Sequence, residues 1–305
     1  MHQALTRLFR STSVTLFLLG AAGAQDTRLP AVGTPTGTAF DEVAPAGQQL
    51  ANVDFRHGGS IDAVRLGYRD RWHAPTGSSA WHGGPSGLPG SFAVAAHDAM
   101  ASAEIWVNNG IVVGVRLSSR NGQQQAFGQA VGSLASFAAA PQDEIIGLHG
   151  THSSGLVFSL GVTTRPRLAT GSAFGTACGA HATRFRPGFE FLRLGGMGIV
   201  EVTNLPSGQP IGIIVAGFST SMAGTIPLPL SLTPFGATGC TLYVATDLIA
   251  FAGVEPDRSA GISVQVPATT TFAGMQVSFQ GFVTGANNPA GLAGANAMTC
   301  TIGAL

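Results

Sequence analysis

Two histidines three residues apart, His149 and His152, are of a type and spacing that could hold a metal ion if they lay on a helix. They fall instead in EIIGLHGTH, an alternating strand that runs into a turn. No HExxH accompanies them and no third ligand is near in sequence, so they read as half-exposed turn histidines. A nucleophilic serine on a strand-turn-helix elbow needs G-x-S-x-G. The nearest strings, GGPSG and THSSG, lack both the spacing and the following helix. Two carboxylates that cleave sugars can come from distant parts of a chain. Here acids are sparse, and Asp41, Glu42, Asp54, Asp62, Asp70, Asp98, Glu104, Asp143 and Glu144 each fit a turn or a solvent-facing place. A phosphate-cradling GxxxxGK[ST] is impossible in a chain whose fifteen basic residues are all arginine. No catalytic residue, metal or cofactor is expected, and the chain is read as non-enzymatic.

The elements that carry these residues follow from composition. Among 305 residues there are 43 Gly and 17 Pro, and only 10% are charged, which describes short strands joined by tight turns. An all-β protein is expected, with the length suggesting two domains. Zero formal net charge and the absence of a basic cluster argue against nucleic acid as a partner. Arg7 and Arg10 precede the apolar run VTLFLLGAAGA, which ends in small residues before Gln25. Residues 1–24 therefore read as a signal peptide, too short to span a membrane, and the mature protein is expected to be secreted or held at the cell surface without membrane insertion. Export permits disulfides. Cys178 and Cys240 both sit in glycine-rich turns and are expected to pair, leaving Cys300 in the strand-like TCTIG as a buried apolar residue.

TRLPAVGTPTG shows no alternation and is read as a leader (25–36). Alternating segments then begin: NVDFRHGG, and SIDAVRLGYRDR with Val64, Leu66 and Tyr68 on one face and Arg65, Gly67 and Arg69 on the other. AEIWVNNG and IVVGVRLSS join across Asn108-Asn109-Gly110, a hairpin signal, and EIIGLHG joins LVFSLGVTT across THSSG. A first domain is expected to span 37–164. TRPRLATGSAFGTACG reads as a boundary, and 165–305 as an antiparallel β-sandwich whose strands include GIVEVTNL, PIGIIVAGFST and MQVSFQGFVTG. In the last, Met275, Val277, Phe279 and Val283 are expected to face the core, and Gln276, Ser278 and Gln280 water. No repeat of fixed period is visible.

GTAFDE, SIDAVRLGYRD, WHGGPSG, AEIWVNNGIVVGVRLSSRNGQQQAFG and EIIGLHGTHSSGLVFSLGV occur in the order and spacing of a jacalin-type lectin domain, which this stretch resembles. The resemblance implies a β-prism of three four-stranded Greek-key sheets, with a glycan as partner held by loops at one end. Carried over, the carbohydrate-binding positions are Thr36 and Gly37; Asn108, Asn109, Gly110 and Ile111; and Thr151, His152, Ser153, Ser154 and Gly155, through to Phe158. The family's loop reads G-x-x-x-D, its Asp accepting hydrogen bonds from sugar hydroxyls while backbone N–H groups donate to the same ring. Phe158 stands at that Asp's place, which implies a weakened monosaccharide site. Small polar residues are also what any tight turn uses, so a structural role stands beside the binding one. Trp72 and Trp81 flank the long loop, placed to stack on a sugar or, the favoured reading, to plug the prism's open end. With its strings GTACG and PLPLSLTPFGATGC and a GxxxG-like tail, the second half resembles a C-terminal β module of secreted planctomycete-type bacterial proteins. Two functions follow: a secreted carbohydrate-binding protein, or a secreted adhesive scaffold that has lost sugar binding. Oligomerisation is compatible with either.

Overall fold

Alternating apolar and polar residues, bounded by Gly, Pro and Asn turns, make nearly every element an antiparallel strand. The computed structural model describes residues 26–189, 191–206 and 211–304; the run read as a signal peptide lies outside them. The first half contains β1 (Thr27–Arg28), β2 (Val32–Gly33), β3 (Thr38–Val43), β4 (Gln49–His57), β5 (Ile61–Arg69), β6 (Pro75–Ser78), β7 (His82–Gly83), β8 (Leu88–Ala93), β9 (Met100–Asn108), β10 (Ile111–Ser119), β11 (Gln124–Gly128), β12 (Ser133–Ala138), β13 (Asp143–His152) and β14 (Val157–Pro166). They form three sheets of four lanes each. Sheet I has the order β1/β2-β14-β13-β3, sheet II β6/β7-β5-β4-β8 and sheet III β11-β10-β9-β12, the short pairs β1/β2 and β6/β7 each sharing one edge. Sheet III is a 4-1-2-3 Greek key, sheet II repeats it, and sheet I repeats it with its outer lanes drawn from the start of the chain. One core serves all three, including Phe55, Phe92, Ile105, Leu117, Ile146 and Leu160. The expected prism is present.

The segment read as a leader is part of this prism. Thr27 and Arg28 pair with Thr164 and Thr163, and Val32 and Gly33 pair with Leu160 and Ser159. Its sequence gives no alternation because these are two-residue contacts closing a sheet edge, each too short to show a period.

A threefold relation links the sheets. In each central hairpin the ladder skips one residue early in the first strand (Ala51, Ala101, Ile146) and one early in the second (Asp62, Val113, Phe158). These are bulges, where an extra residue bends the strand and increases its twist. Each sheet also carries a G-x-x-x-G loop: Gly33–Gly37, Gly83–Gly87 and Gly128–Gly132. All six glycines have positive φ, between 72° and 124°. The first glycine of each loop lies against the carbonyl of a bulged residue, Phe158, Asp62 or Val113 respectively, where a Cβ would collide. The loops start 50 and 45 residues apart, and this unequal spacing hides the repeat from a search for a fixed period.

The second half contains β15 (Thr170–Phe174), β16 (Ala182–Phe185), β17 (Met197–Thr203), β18 (Ile211–Gly217), β19 (Met222–Ala223), β20 (Ile226–Pro227), β21 (Leu230–Ser231), β22 (Thr241–Leu242), β23 (Leu248–Gly253), β24 (Ala260–Gln265), β25 (Gln276–Thr284) and β26 (Leu292–Thr301). A five-stranded sheet, β15-β26-β25-β18-β23, faces a three-stranded one, β16-β17-β24, and Phe185, Val200, Ile214 and Phe279 pack between them. This is the expected sandwich. Cys178 and Cys240 are bonded, and Cys300 is fully buried, which pushes its thiol pKa up. Ser278 and Gln280 do not face water. Ser278 shares a hydrogen bond with Thr299, and the Gln280 amide donates to Thr241 O and Ala295 O while accepting from Tyr243 N–H. β25 is central in its sheet and the β21–β22 segment covers its outer side, so both faces are buried.

The two halves meet at the end of the prism away from the central hairpins, where Arg69, read as a surface residue, is buried with Glu144 and Arg167. Trp72 packs on Phe191 of the second half with ring centroids 4.8 Å apart; it neither plugs the prism nor reaches the hairpin end. Beside it His97 bridges to Ser172 Oγ (2.7 Å) and Thr301 Oγ1 (3.1 Å), and its ring lies 4.5 Å from that of His73. Burial, then the charges of His97 and Arg69, push His73 down to about 4, with Asp70 only partly opposing. Burial, then Arg69 and Arg167, lower His97. A histidine depressed in the folded state lets the unfolded chain take up protons first. Its stabilisation is complete above the unfolded value near 6.5 and is lost as pH falls from there towards 4. Thermal melts between neutral pH and pH 4.5 are expected to show a loss on the order of 1–2 kcal/mol from the pair, discounted for partial exposure. Burial raises the Glu144 pKa, which works in the opposite sense. The informative comparison is therefore His73→Asn, whose melting temperature should vary less with pH than that of the parent. Equal slopes would contradict this account.

Candidate functional site

All three central hairpins and all three G-x-x-x-G loops gather at one end of the prism. Thr34 N–H donates to Gly110 O (2.9 Å), joining the sheet I loop to the sheet III hairpin. Gly84 lies against Ser154 O and Gly155, joining the sheet II loop to the sheet I hairpin, and Gly59 lies near the Gln129 amide, joining the sheet III loop to the sheet II hairpin. The positions carried over from sequence are therefore together: Gly37 packs on His152, Thr151 Oγ1 donates to Thr34 O (3.4 Å), and Asn108 and Asn109 are exposed beside Gly110.

What these groups can offer a ligand differs between the sheets. In the sheet I hairpin, Ser153 N–H bonds Leu156 O, and the N–H groups of Gly155 and Leu156 bond Ser153 Oγ (3.2 and 3.3 Å). The His152 ring bonds Ser153 O (3.0 Å) and lies 6.0 Å from the Phe40 ring. Donors expected to meet a sugar are consumed by the turn, leaving mainly exposed Ser154. Phe40 also stacks on His82 (4.6 Å), which pairs with Glu42 (2.8 Å). His149 is buried within β13 beside Thr163, not half-exposed; burial, then Arg28, lowers its pKa. It is held away from His152 because strand residues three apart face opposite sides.

Sheet II is different. The residue skipped at its second bulge is Asp62, where sheet I has Phe158 and sheet III Val113. Its hairpin reads Gly58-Gly59-Ser60-Ile61-Asp62, a G-x-x-x-D string. Asp62, expected in a turn or a solvent-facing place, is instead a recessed group, 9% exposed, on β5 just after the turn. Ser60 Oγ donates to Asp62 Oδ1 (3.1 Å), and Asp62 Oδ2 faces Gly87, where any Cβ would strike it. Gly58 N–H closes the turn on Ser60 O (2.9 Å), leaving the N–H groups of Gly59 and Ser60 outside the turn's backbone bonds. A carboxylate at the base of an exposed glycine turn, with amides at its rim, accepts hydrogen bonds from vicinal hydroxyls and donates back to them. Sequence reasoning passed over Asp62 although the motif stands in HGGSID. The linear chain presents it as an ordinary turn acid, because the equivalence of the hairpins is a matter of register.

Trp81 lies on the outer face of sheet II beneath this loop, with the Arg56 and Arg65 guanidinium carbons 5.2 and 4.8 Å from its ring centroid; it is not a plug. Trp106 lies beside Arg116 (5.6 Å) on sheet III. No group of three or more potential metal ligands occurs among the described residues.

Residues 29–163 match the family model for the jacalin-like lectin domain. The matched stretch begins just after β1, takes in β2 and ends within β14. Solved structures similar to it include wild-type Malaysian banana lectin, at 23% identity, covering 47% of this chain and 99% of the other with a TM-score of 0.41. A mannose-binding jacalin-related lectin from Ananas comosus is 18% identical over 46% of this chain and 98% of its own (TM-score 0.41). A mannose-specific jacalin-related lectin from Morus nigra, solved with mannose, is 17% identical over 48% and 98% (TM-score 0.41). No curated protein matches the chain.

Proposed function

We propose that this is a secreted carbohydrate-binding protein whose jacalin-like domain holds saccharide at the hairpin end of the prism, principally through Asp62. The observation that carries the reading is the recessed carboxylate at the bulge of the Gly58–Asp62 hairpin, within a stretch that matches a lectin-domain model. Asp62 accepts from sugar hydroxyls, the Gly59 and Ser60 amides donate to the ring, and Gly87 leaves room above the carboxylate. Gly37 and Thr151–Gly155 of sheet I, with the Asn108–Gly110 turn of sheet III, lie on the same end as an accessory polar surface. No bond is made or broken in this account. The N-terminal apolar run and the Cys178–Cys240 bond support export. The scaffold reading has one observation in its favour, confined to sheet I: Phe158 replaces the acceptor and the turn uses its own donors. Binding of residues 25–305 to a glycan array, and its loss in Asp62→Asn, tests the proposal. An array signal unchanged by that substitution would move the site elsewhere, and no signal on any glycan would leave the scaffold.

A further inference from the structure

We propose that the outer face of sheet II, beside the Asp62 hairpin, is a second subsite that takes an acidic sugar unit. The ligand of the domain is then an oligosaccharide carrying a carboxylate or sulfate group. This rests on the Asp62 reading for the neighbouring unit and adds the charge and length of what is bound.

A cleft of about 320 Å³ lies on this face, lined by Trp81, Asp54, Arg65, Pro89, Gly90 and Ser91 among others. Its position relative to the hairpin follows from the ladder. His57 pairs with Leu88 at the hairpin end of β4 and β8, and Asp54 pairs with Ser91 three rungs along. At about 3.3 Å per residue the cleft is centred within roughly 10 Å of the hairpin. Arg56 spans the interval, its Nη1 donating to Pro85 O (2.7 Å) in the Gly83–Gly87 loop while its guanidinium lies beside Trp81. A chain of sugars leaving Asp62 over that loop meets this cleft next.

The chemistry of the cleft is the reverse of the hairpin's. Asp54 accepts from Asn52 (2.6 Å) and Ser91 (2.7 Å) at one oxygen and twice from Arg65 (3.1 and 2.7 Å) at the other. Burial acts to raise its pKa, but the Ser91, Arg65 and Asn52 bonds and the Arg65 charge outweigh it and hold the carboxyl below its ordinary value. An ionised carboxylate with four bonds has no acceptor capacity left for a ligand. Arg65 is matched by Asp54, and the Arg56 guanidinium beside the same indole adds one net positive charge at the cleft's edge. Trp81, 36% exposed, adds apolar area for a sugar face. Donors, positive charge and an indole select a unit bearing an oxyanion, whereas Asp62 alone selects hydroxyls.

Calorimetric titration with a neutral oligosaccharide, a uronate oligosaccharide and a sulfated oligosaccharide of equal length tests this at low and high ionic strength. At low ionic strength at least one acidic ligand should bind about tenfold tighter than the neutral one, and the gap should shrink as salt is added. Whichever acidic ligand carries the gap identifies the oxyanion. Arg56→Gln and Trp81→Ala should each reduce the gap to about threefold or less, and Arg56→Lys should keep most of it. Equal affinity for neutral and acidic ligands, or a gap that survives both substitutions, overturns the subsite. If Asp62→Asn abolishes neutral binding while no acidic preference exists, the Asp62 reading stands and this one falls. If Asp62→Asn leaves neutral binding intact while Arg56→Gln removes an acidic preference, the subsite stands and the Asp62 reading falls. Binding of none of the three removes both.

Discussion

Asp62→Asn should lower saccharide affinity by about 10- to 100-fold, because hydrogen bonds to a charged group contribute about 1.5–3 kcal/mol and each 1.4 kcal/mol is tenfold. The amide has nearly the carboxylate's shape, so Ser60 Oγ keeps a partner and Gly87 is not displaced. What changes is acceptor capacity: one oxygen becomes a donor, and a pair of hydroxyls that each donate can no longer both be satisfied. The backbone role of Asp62, whose carbonyl accepts from Gly84 N–H (2.9 Å), is untouched, so the melting temperature should not move. The reciprocal experiment is Phe158→Asp. Phe158 occupies the same bulge position in sheet I, half-buried beside Gly37 of its own G-x-x-x-G loop. A carboxylate there should add a second, weaker class of site, read as a rise in calorimetric stoichiometry from one towards two. Affinity within twofold of the parent in Asp62→Asn would sink the assignment, and stoichiometry unchanged in Phe158→Asp would show that the bulge alone does not make a site.

Glu144→Ala should destabilise the protein by about 3–5 kcal/mol, the range found when one member of a buried charged group is removed. Glu144 is 2% exposed at the start of β13, where the prism meets the second half. It accepts from Gln49 Nε2 at both oxygens (3.2 and 3.0 Å) and from Leu168 N–H (2.9 Å), and the Arg69 and Arg167 guanidiniums face it. Those guanidiniums are themselves anchored on carbonyls, Arg69 on Val94 and Asp98, Arg167 on His97. They cannot swing to water when the carboxylate is lost. Alanine would leave an amide and a backbone N–H without their carboxylate partner and two buried cations offset by Asp98 alone. Glu144→Gln keeps the volume and one acceptor and should cost only about 1–2 kcal/mol. Because burial raises the Glu144 pKa, the parent gains stability as pH falls through that raised value while the Gln variant does not, so the difference between them should widen as pH falls. Urea denaturation midpoints measure both. An alanine variant within 1 kcal/mol of the parent would show that this cluster does not hold the halves together.

The quoted hairpins, the sandwich strands and the turn positions of Cys178 and Cys240 were legible in the linear chain. Strand alternation, Asn-Gly turns and glycine spacing are local properties, set by side-chain period and backbone sterics within a few residues. The second set of facts is not local. Whether Asp62 or Phe158 occupies the acceptor position depends on which residue the ladder skips, and that is fixed by pairing between strands and by packing round a shared core. The same holds for Thr27–Arg28 and Val32–Gly33, whose strand character exists only through β14. It holds too for Arg69, Glu144, Ser278 and Gln280, which alternation alone would turn outward. Their burial comes from a second layer arriving over their face, the junction with the sandwich for the first two and the β21–β22 segment for the others. Sequence determined what each segment could be; the meeting of distant segments decided which polar groups were left facing a ligand.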